Sequence, residues 1–204
     1  MTNDLIIRTE TEKDYKTAEN VTREAFWNVY RPGCLEHYVL NRFRSNKNFI
    51  PQLSLVLEKD GEIIGHIMYA RAEIETESGT KLPVMTFGPF SILPQYRGKG
   101  YGKQLLEYSM QQAAEMGAKA LAITGDINLY GRFGFVVAKT KNIFYKEYPD
   151  ADFFLIKELK DGFLSDIKGY YTDPDGYFVD EAEAEIFDTQ FVPKQKLVLP
   201  GQLV

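Results

Sequence analysis

The sequence predicts an α+β fold, here a mixed, mostly antiparallel sheet of about six or seven strands with helices on its flanks. Three observations predict it. β-rich runs joined by tight turns dominate residues 53–93. A single amphipathic stretch, residues 103–116, leads into a later apolar run. Strand and helix patterns do not alternate regularly, which argues against a doubly wound parallel sheet.

Each element follows from local pattern. Leu5-Ile6-Ile7-Arg8 reads as a short strand. Thr11 and Asp14 form a capping-box pattern, and Tyr15, Ala18, Val21 and Ala25 recur at helical spacing, so residues 14–26 are expected to be helical. Pro32-Gly33 breaks the chain before a second stripe at Leu35, Val39 and Phe43. Residues 53–57 and 63–74 read as strands joined by a hairpin with Asp60-Gly61 at its centre. A further strand over residues 84–93 is interrupted by Gly88-Pro89, because proline cannot donate to a ladder; a bulge is expected there. The apolar face of Leu105, Leu106, Met110, Ala113 and Ala114 makes a helix, closed by Gly117 at its C′ position. Residues 118–124 form a short buried strand, and two more follow from Val136 and over 153–159.

The chain has 204 residues and a net charge of −5. That length suits one domain, at about 100–200 residues each. The acidic balance argues against a nucleic-acid partner, which would demand excess Lys and Arg. One cysteine, Cys34, and two histidines cannot build a Cys/His zinc site, so no metal is expected. The amino terminus shows no leader pattern and no run is long enough to span a bilayer, so a cytoplasmic protein without membrane partner is expected. Charge is uneven. Residues 147–188 hold thirteen acidic and three basic side chains, a net of −10, leaving +5 for the remainder. The division expected is a main domain over 1–149 and, over 150–204, a strand plus acidic extension packed on it.

The chemistry lies in Arg97-Gly98-Lys99-Gly100-Tyr101-Gly102-Lys103, which follows a broken strand and opens a helix. Alternate glycines allow close backbone approach, and free amides at a helix start favour an anion. Arg97, Lys99 and Lys103 add positive charge. Neither the ATP-loop nor the dinucleotide glycine pattern fits.

Arg97-x-x-Gly100-x-Gly102 after a bulged strand resembles the signature of the GNAT superfamily of acyl-CoA-dependent N-acyltransferases. Gln95-x-x-Gly98-x-Gly100 matches in a second register. Tyr130 before Gly134-Phe135 is similar to that family's Tyr-x-x-x-Gly-Phe ending. The resemblance spans residues 5–145 and looks like a little-characterised bacterial branch. It implies acetyl-CoA as co-substrate, with its pyrophosphate on the backbone of residues 97–103. Pantetheine would lie along Phe90, Ser91, Ile92 and Leu93, with contacts from Asp126, Asn128 and Phe133. It implies Tyr130 as proton donor to the departing thiolate, and a strand N–H that polarises the thioester carbonyl. The family's Asn seven residues before the Tyr is absent; Ile123 stands there.

The acceptor implied is a primary amine of a small molecule or peptide, cationic if the acidic run Asp180–Glu185 faces the cleft. Its base is open between Glu36, a water relay and a carboxylate of the extension. Trp27 and Tyr30 are further candidates for the acceptor site. His66 and Cys34 read as structural residues and the acidic run as a solvated face. A monomer or homodimer is expected. The rival readings are a non-catalytic acyl-CoA-binding module and a nucleotide-dependent enzyme reusing the glycine loop.

Overall fold

The computed structural model describes residues 5–203. Residues 1–4, the start of the segment read as lacking a leader, and residue 204 lie outside them. In chain order the elements are β1 (Leu5–Thr9), α1 (Tyr15–Phe26), α2 (Glu36–Phe43), β2 (Leu55–Lys59), β3 (Glu62–Thr76) and β4 (Lys81–Ile92). There follow α3 (Tyr101–Glu115), β5 (Ala120–Thr124), α4 (Ile127–Tyr130), β6 (Val136–Val137) and β7 (Ile143–Tyr145). The last are β8 (Phe154–Glu158), β9 (Gly169–Tyr171) and α5 (Glu181–Asp188). The strand order is β1-β2-β3-β4-β5-β8-β6, with β9 beside β3 and β7 beside β9. The β1/β2, β2/β3, β3/β9, β5/β8 and β6/β8 pairs are antiparallel, and β4/β5 and β7/β9 are parallel. The mixed, mostly antiparallel sheet is thus present. The strand expected from Val136 is β6, only two residues long, and the additional strands, β7 and β9, have three residues each, too few to show a periodicity.

The chain divides into two compact units that do not follow chain order. One comprises residues 1–68, 89–109 and 175–204; the other comprises 69–88 and 110–174. Position 149/150, the boundary expected from sequence, falls inside the second.

In the first unit the capping box forms: the Thr11 amide and hydroxyl both donate to Asp14 Oδ2, at 2.7 and 2.8 Å. Of the two expected stripes, Ala18, Val21 and Ala25 of α1 and Val39 and Phe43 of α2 are buried, while Tyr15 and Leu35 are half-buried. The Asp60-Gly61 turn has both residues at positive φ, 51° and 83°, matching the twist of the β2–β3 hairpin. A buried charged network lies beneath the helices. Arg44 bridges Glu10 (3.0 Å) and Glu19 (2.5 Å). The Ser54 hydroxyl donates to Glu10 Oε1 at 2.6 Å and lies 3.2 Å from His66 Nε2. His66 is therefore a core histidine, as read from its mid-strand position.

The acidic run of the extension is helix α5, with Asp180 capping it through Glu183 N–H. Ala184 and Phe187 pack on Tyr38. Its outer carboxylates are not simply solvated. Glu181 pairs with Arg31 at 2.6 Å, Glu183 accepts from the Tyr38 hydroxyl at 2.6 Å, and Glu185 pairs with Lys196. Beyond α5 the chain straps the α1–α2 connection: Trp27 Nε1 and Asn28 Nδ2 donate to Gln195 O, and Leu203 N–H donates to Tyr30 O at 2.8 Å.

In the second unit β5 is the centre. It pairs with β8 along its whole length, and with β4 only at Met85↔Leu121. Ala120, Ala122, Phe154, Ile156, Tyr145 and Tyr171 belong to one buried cluster.

Candidate functional site

The glycine loop belongs to the first unit. Gly98 and Gly100 have φ of +73° and +84°, and a Cβ at either would meet nothing within 4 Å. They are required by conformation, and the space above them is open. The first amide of α3 with an intrahelical partner is that of Gln104, which donates to Gly100 O at 3.1 Å. The Tyr101, Gly102 and Lys103 amides precede it and are the helix's unpaired donors. Gly102 is helical, and a Cβ there would only touch Phe90 and Ile92 at 3.4–3.5 Å.

The three cations of the loop have separate tasks. Arg97 turns inward: its guanidinium donates to Ala25 O (2.5 Å), at the end of α1, and to Ile92 O (3.2 Å). Lys99 donates to Gln95 O at 2.8 Å, and exposed Lys103 lies 3.8 Å from Glu107. Arg97 thus ties the loop to α1, while the Lys99 and Lys103 ammonium groups stay at its rim.

Strand β4 runs without interruption from Lys81 to Ile92, and the break expected at Gly88-Pro89 is only a local backbone distortion. Gly88 has φ +147°, and Pro89 follows. Leu93 N–H donates to Ile64 O of β3 at 2.9 Å. Strand alternation then points the amides of Phe90 and Ile92 toward the opposite edge. Ser91 is buried and its hydroxyl donates to Thr22 Oγ1 at 3.1 Å, so its side chain does not face a ligand, and its amide shares the β3-facing edge with that of Leu93.

Tyr130 belongs to the second unit. It ends the short helix α4, capped by Asp126, whose Oδ1 accepts from Asn128 N and Nδ2 at 2.9 Å each. Asp126, the cap, and Asn128, inside α4, are both exposed, and Phe133 is buried. The Tyr130 ring packs against Phe87 and Phe135, at 5.9 and 5.8 Å between centroids. Its seat is Gly125, where a Cβ would stand only 2.6 Å from the ring. Phe87 and Gly125 escape a reading of the sequence; a glycine five positions before Tyr130 is the one signal available.

Glu36 opens α2, half-buried, with Oε2 accepting from Leu35 N–H at 2.9 Å. Burial raises its carboxyl above the usual range, against the opposing pull of those amides and Arg31. Cys34 lies 3.4 Å from His37 Nδ1, and His37 Nε2 is 3.0 Å from Asp188 Oδ1, close enough for an ion pair but misaligned for a hydrogen bond. Burial pushes the Cys34 thiol far up, the opposite of an activated nucleophile, in keeping with its reading as a bystander. Trp27 is held under the C-terminal strap with Arg23 stacked on it at 4.1 Å, while Tyr30 is partly exposed. Among the described residues no cluster of His, Cys, Asp and Glu could hold a metal, and no helix is long and apolar enough to cross a membrane.

A family model described as the acetyltransferase (GNAT) family matches residues 17–135. The chain belongs to that family. Among curated relatives, the uncharacterized N-acetyltransferase YjhQ of Escherichia coli is 31% identical over 85 residues. That match covers 42% of this chain and 46% of the relative, so the chain spans about half of that protein's length. The uncharacterized N-acetyltransferase YhbS of Escherichia coli is 28% identical over 57% of this chain and 69% of its own. Its crystal structure in complex with CoA superposes with a TM-score of 0.75 at 23% identity, covering 87% of this chain and 93% of that one. A GNAT acetyltransferase from Brucella melitensis, in complex with acetyl-CoA, gives 0.69 at 26%, over 86% and 99%.

Proposed function

We propose that this chain transfers an acetyl group from acetyl-CoA to a primary amine by direct attack in a ternary complex. The observation that carries the reading is the loop: two glycines in the left-handed region, with unpaired helix amides above open space. Such a cradle fits a pyrophosphate. The Brucella melitensis relative, solved with acetyl-CoA, supports the same ligand.

Residues 98–103 would hold the diphosphate, and the backbone edge of Phe90 and Ile92 the pantetheine. Acetyl-CoA supplies the activated thioester. A strand N–H on that edge polarises its carbonyl. Tyr130 protonates the sulfur; a phenol of ordinary pKa about 10 and a thiol near 8.5 are matched closely enough for transfer along a hydrogen bond. Glu36, its carboxyl raised by burial, is the base candidate in the first unit. The paired carboxylates of α5 weaken the case for a cationic acceptor drawn by that helix alone.

Acetyl-CoA is expected to raise the melting temperature where ATP and NADPH do not, and thiol release is expected with at least one amine of a panel. A shift with NADPH and none with acetyl-CoA overturns the reading. Acetyl-CoA binding without turnover on any amine would favour a binding module instead.

A further inference from the structure

The first unit holds a hollow that the proposed reaction does not use. It lies between α2, the turn at residues 175–179 and the start of α5, and its volume is about 280 Å³. That is near the lower end of the range for small-molecule sites, about 300–1,000 Å³. Packing fixes its walls. At Gly176 a Cβ would stand 2.7 Å from the Phe43 ring and 2.9 Å from Asn46 Nδ2, so a side chain there would push the turn off α2. The Tyr177 ring lies against Phe43 at 4.7 Å between centroids.

Four charged side chains line the hollow, and both signs are present: Arg42 against Asp175, Asp180 and Glu183. Each carboxylate has one oxygen held within the protein. Asp175 Oδ1 accepts from Asn46 Nδ2 at 3.1 Å, Asp180 Oδ1 from the Glu183 amide at 2.9 Å, and Glu183 Oε2 from the Tyr38 hydroxyl at 2.6 Å. Neutral donors thus orient all three and leave their charge unanswered. Arg42 is exposed and forms no ion pair among the described residues. Opposite charges therefore face one hollow without closing on each other. A ligand with one carboxylate and two ammonium groups answers both signs at once. Phe178, which also lines the hollow and is 66% exposed, offers a ring to an aliphatic stem.

We propose that this hollow binds a free basic α-amino acid, of the lysine or ornithine type. Arg42 takes its carboxylate through the planar guanidinium, and Asp175, Asp180 and Glu183 take the α- and side-chain ammonium groups. None of the lining residues belongs to the glycine loop, to β4 or to the support of Tyr130, so the inference does not depend on acetyl transfer.

The test is calorimetric titration of L-lysine, cadaverine and L-norleucine into the full chain without acetyl-CoA. Cadaverine lacks the carboxylate, and norleucine lacks the side-chain ammonium. L-Lysine is expected to bind at least about fivefold tighter than either, the strength of one exposed charge contact. Arg42→Gln should erase the preference over cadaverine. Asp175→Asn keeps the acceptor for Asn46 and should shrink the preference over norleucine. Both positions are exposed, so the variants keep the fold, and equal melting temperatures check this. No binding of L-lysine, or binding no tighter than that of cadaverine or of norleucine, overturns the inference. So does L-lysine binding that is unchanged in both variants, which would place the amino acid elsewhere on the chain.

Discussion

Tyr130 is readable as a motif residue, but its placement depends on two residues that no motif marks. Phe87 supports one side of its ring, and Gly125 supplies the floor. Adding a methyl at 125 must displace the ring, since 2.6 Å is far inside contact distance and the strand around it is buried. Tyr130→Phe is expected to lower kcat by about a hundredfold, the low end for general-acid catalysis, with unchanged acetyl-CoA affinity. Gly125→Ala should lower kcat in the same way. Combined, the two should cost little more than either alone, because they remove one interaction. Additive losses in steady-state kinetics would show that Gly125 acts elsewhere.

At the scale of the element, the loop and the helix it opens are nearly complete in the sequence. Glycines at 98 and 100, the Gly88 distortion within β4 and the Gly117 C′ stop are all local demands of backbone geometry: Gly88 has φ +147°, Gly117 has φ +91° and Ala118 N–H closes on Ala113 O at 2.9 Å. The roles of the glycines still differ. Gly100→Ala puts a side chain into the left-handed region and should cost about 1–2 kcal/mol of local strain, with weaker acetyl-CoA binding. Gly102→Ala sits in a helix with ordinary contacts and should bind acetyl-CoA nearly as the parent does. Calorimetry on the two variants distinguishes a cradle of backbone amides from a merely flexible loop. Arg97 was not legible in this way: its charge suggests a phosphate contact, and only the fold turns it toward Ala25 O.

At the scale of the molecule, the buried charges set the response to acid. His37 is buried beside Asp188, and burial, helped by Arg23, lowers its pKa to about 4 against the pull of Asp188. The unfolded chain therefore binds that proton first, so stability falls as pH drops from about 6.5 to about 4. For Glu10, burial alone would raise the carboxyl, but hydrogen bonds from His66 and Arg44 outweigh it and hold it at about 2. Its contribution is complete above pH 4.5 and lost as pH falls toward 2. Urea midpoints across pH 8 to 3 should thus decline in two stages, and His37→Gln should flatten the first. A profile unchanged in that variant would place the titration elsewhere.

The sequence by itself determined the sheet class, the helix and hairpin positions, the glycine loop, the Gly88 distortion of β4 and Tyr130. Each of these is written in spacing, in proline's missing donor or in glycine's access to positive φ, and such signals act over a few residues. Tertiary structure alone decided which partners meet across long separations. It turned the acidic run into a capped helix fastened to α1 by Arg23 and Asp188, 165 positions apart. It brought Asp173 to the hydroxyls of Tyr145 and Tyr171, and it laid Tyr130 on Gly125. Those arrangements follow from packing between distant segments, where the cost of a buried charge or a clashing methyl exists only once the neighbours are in place.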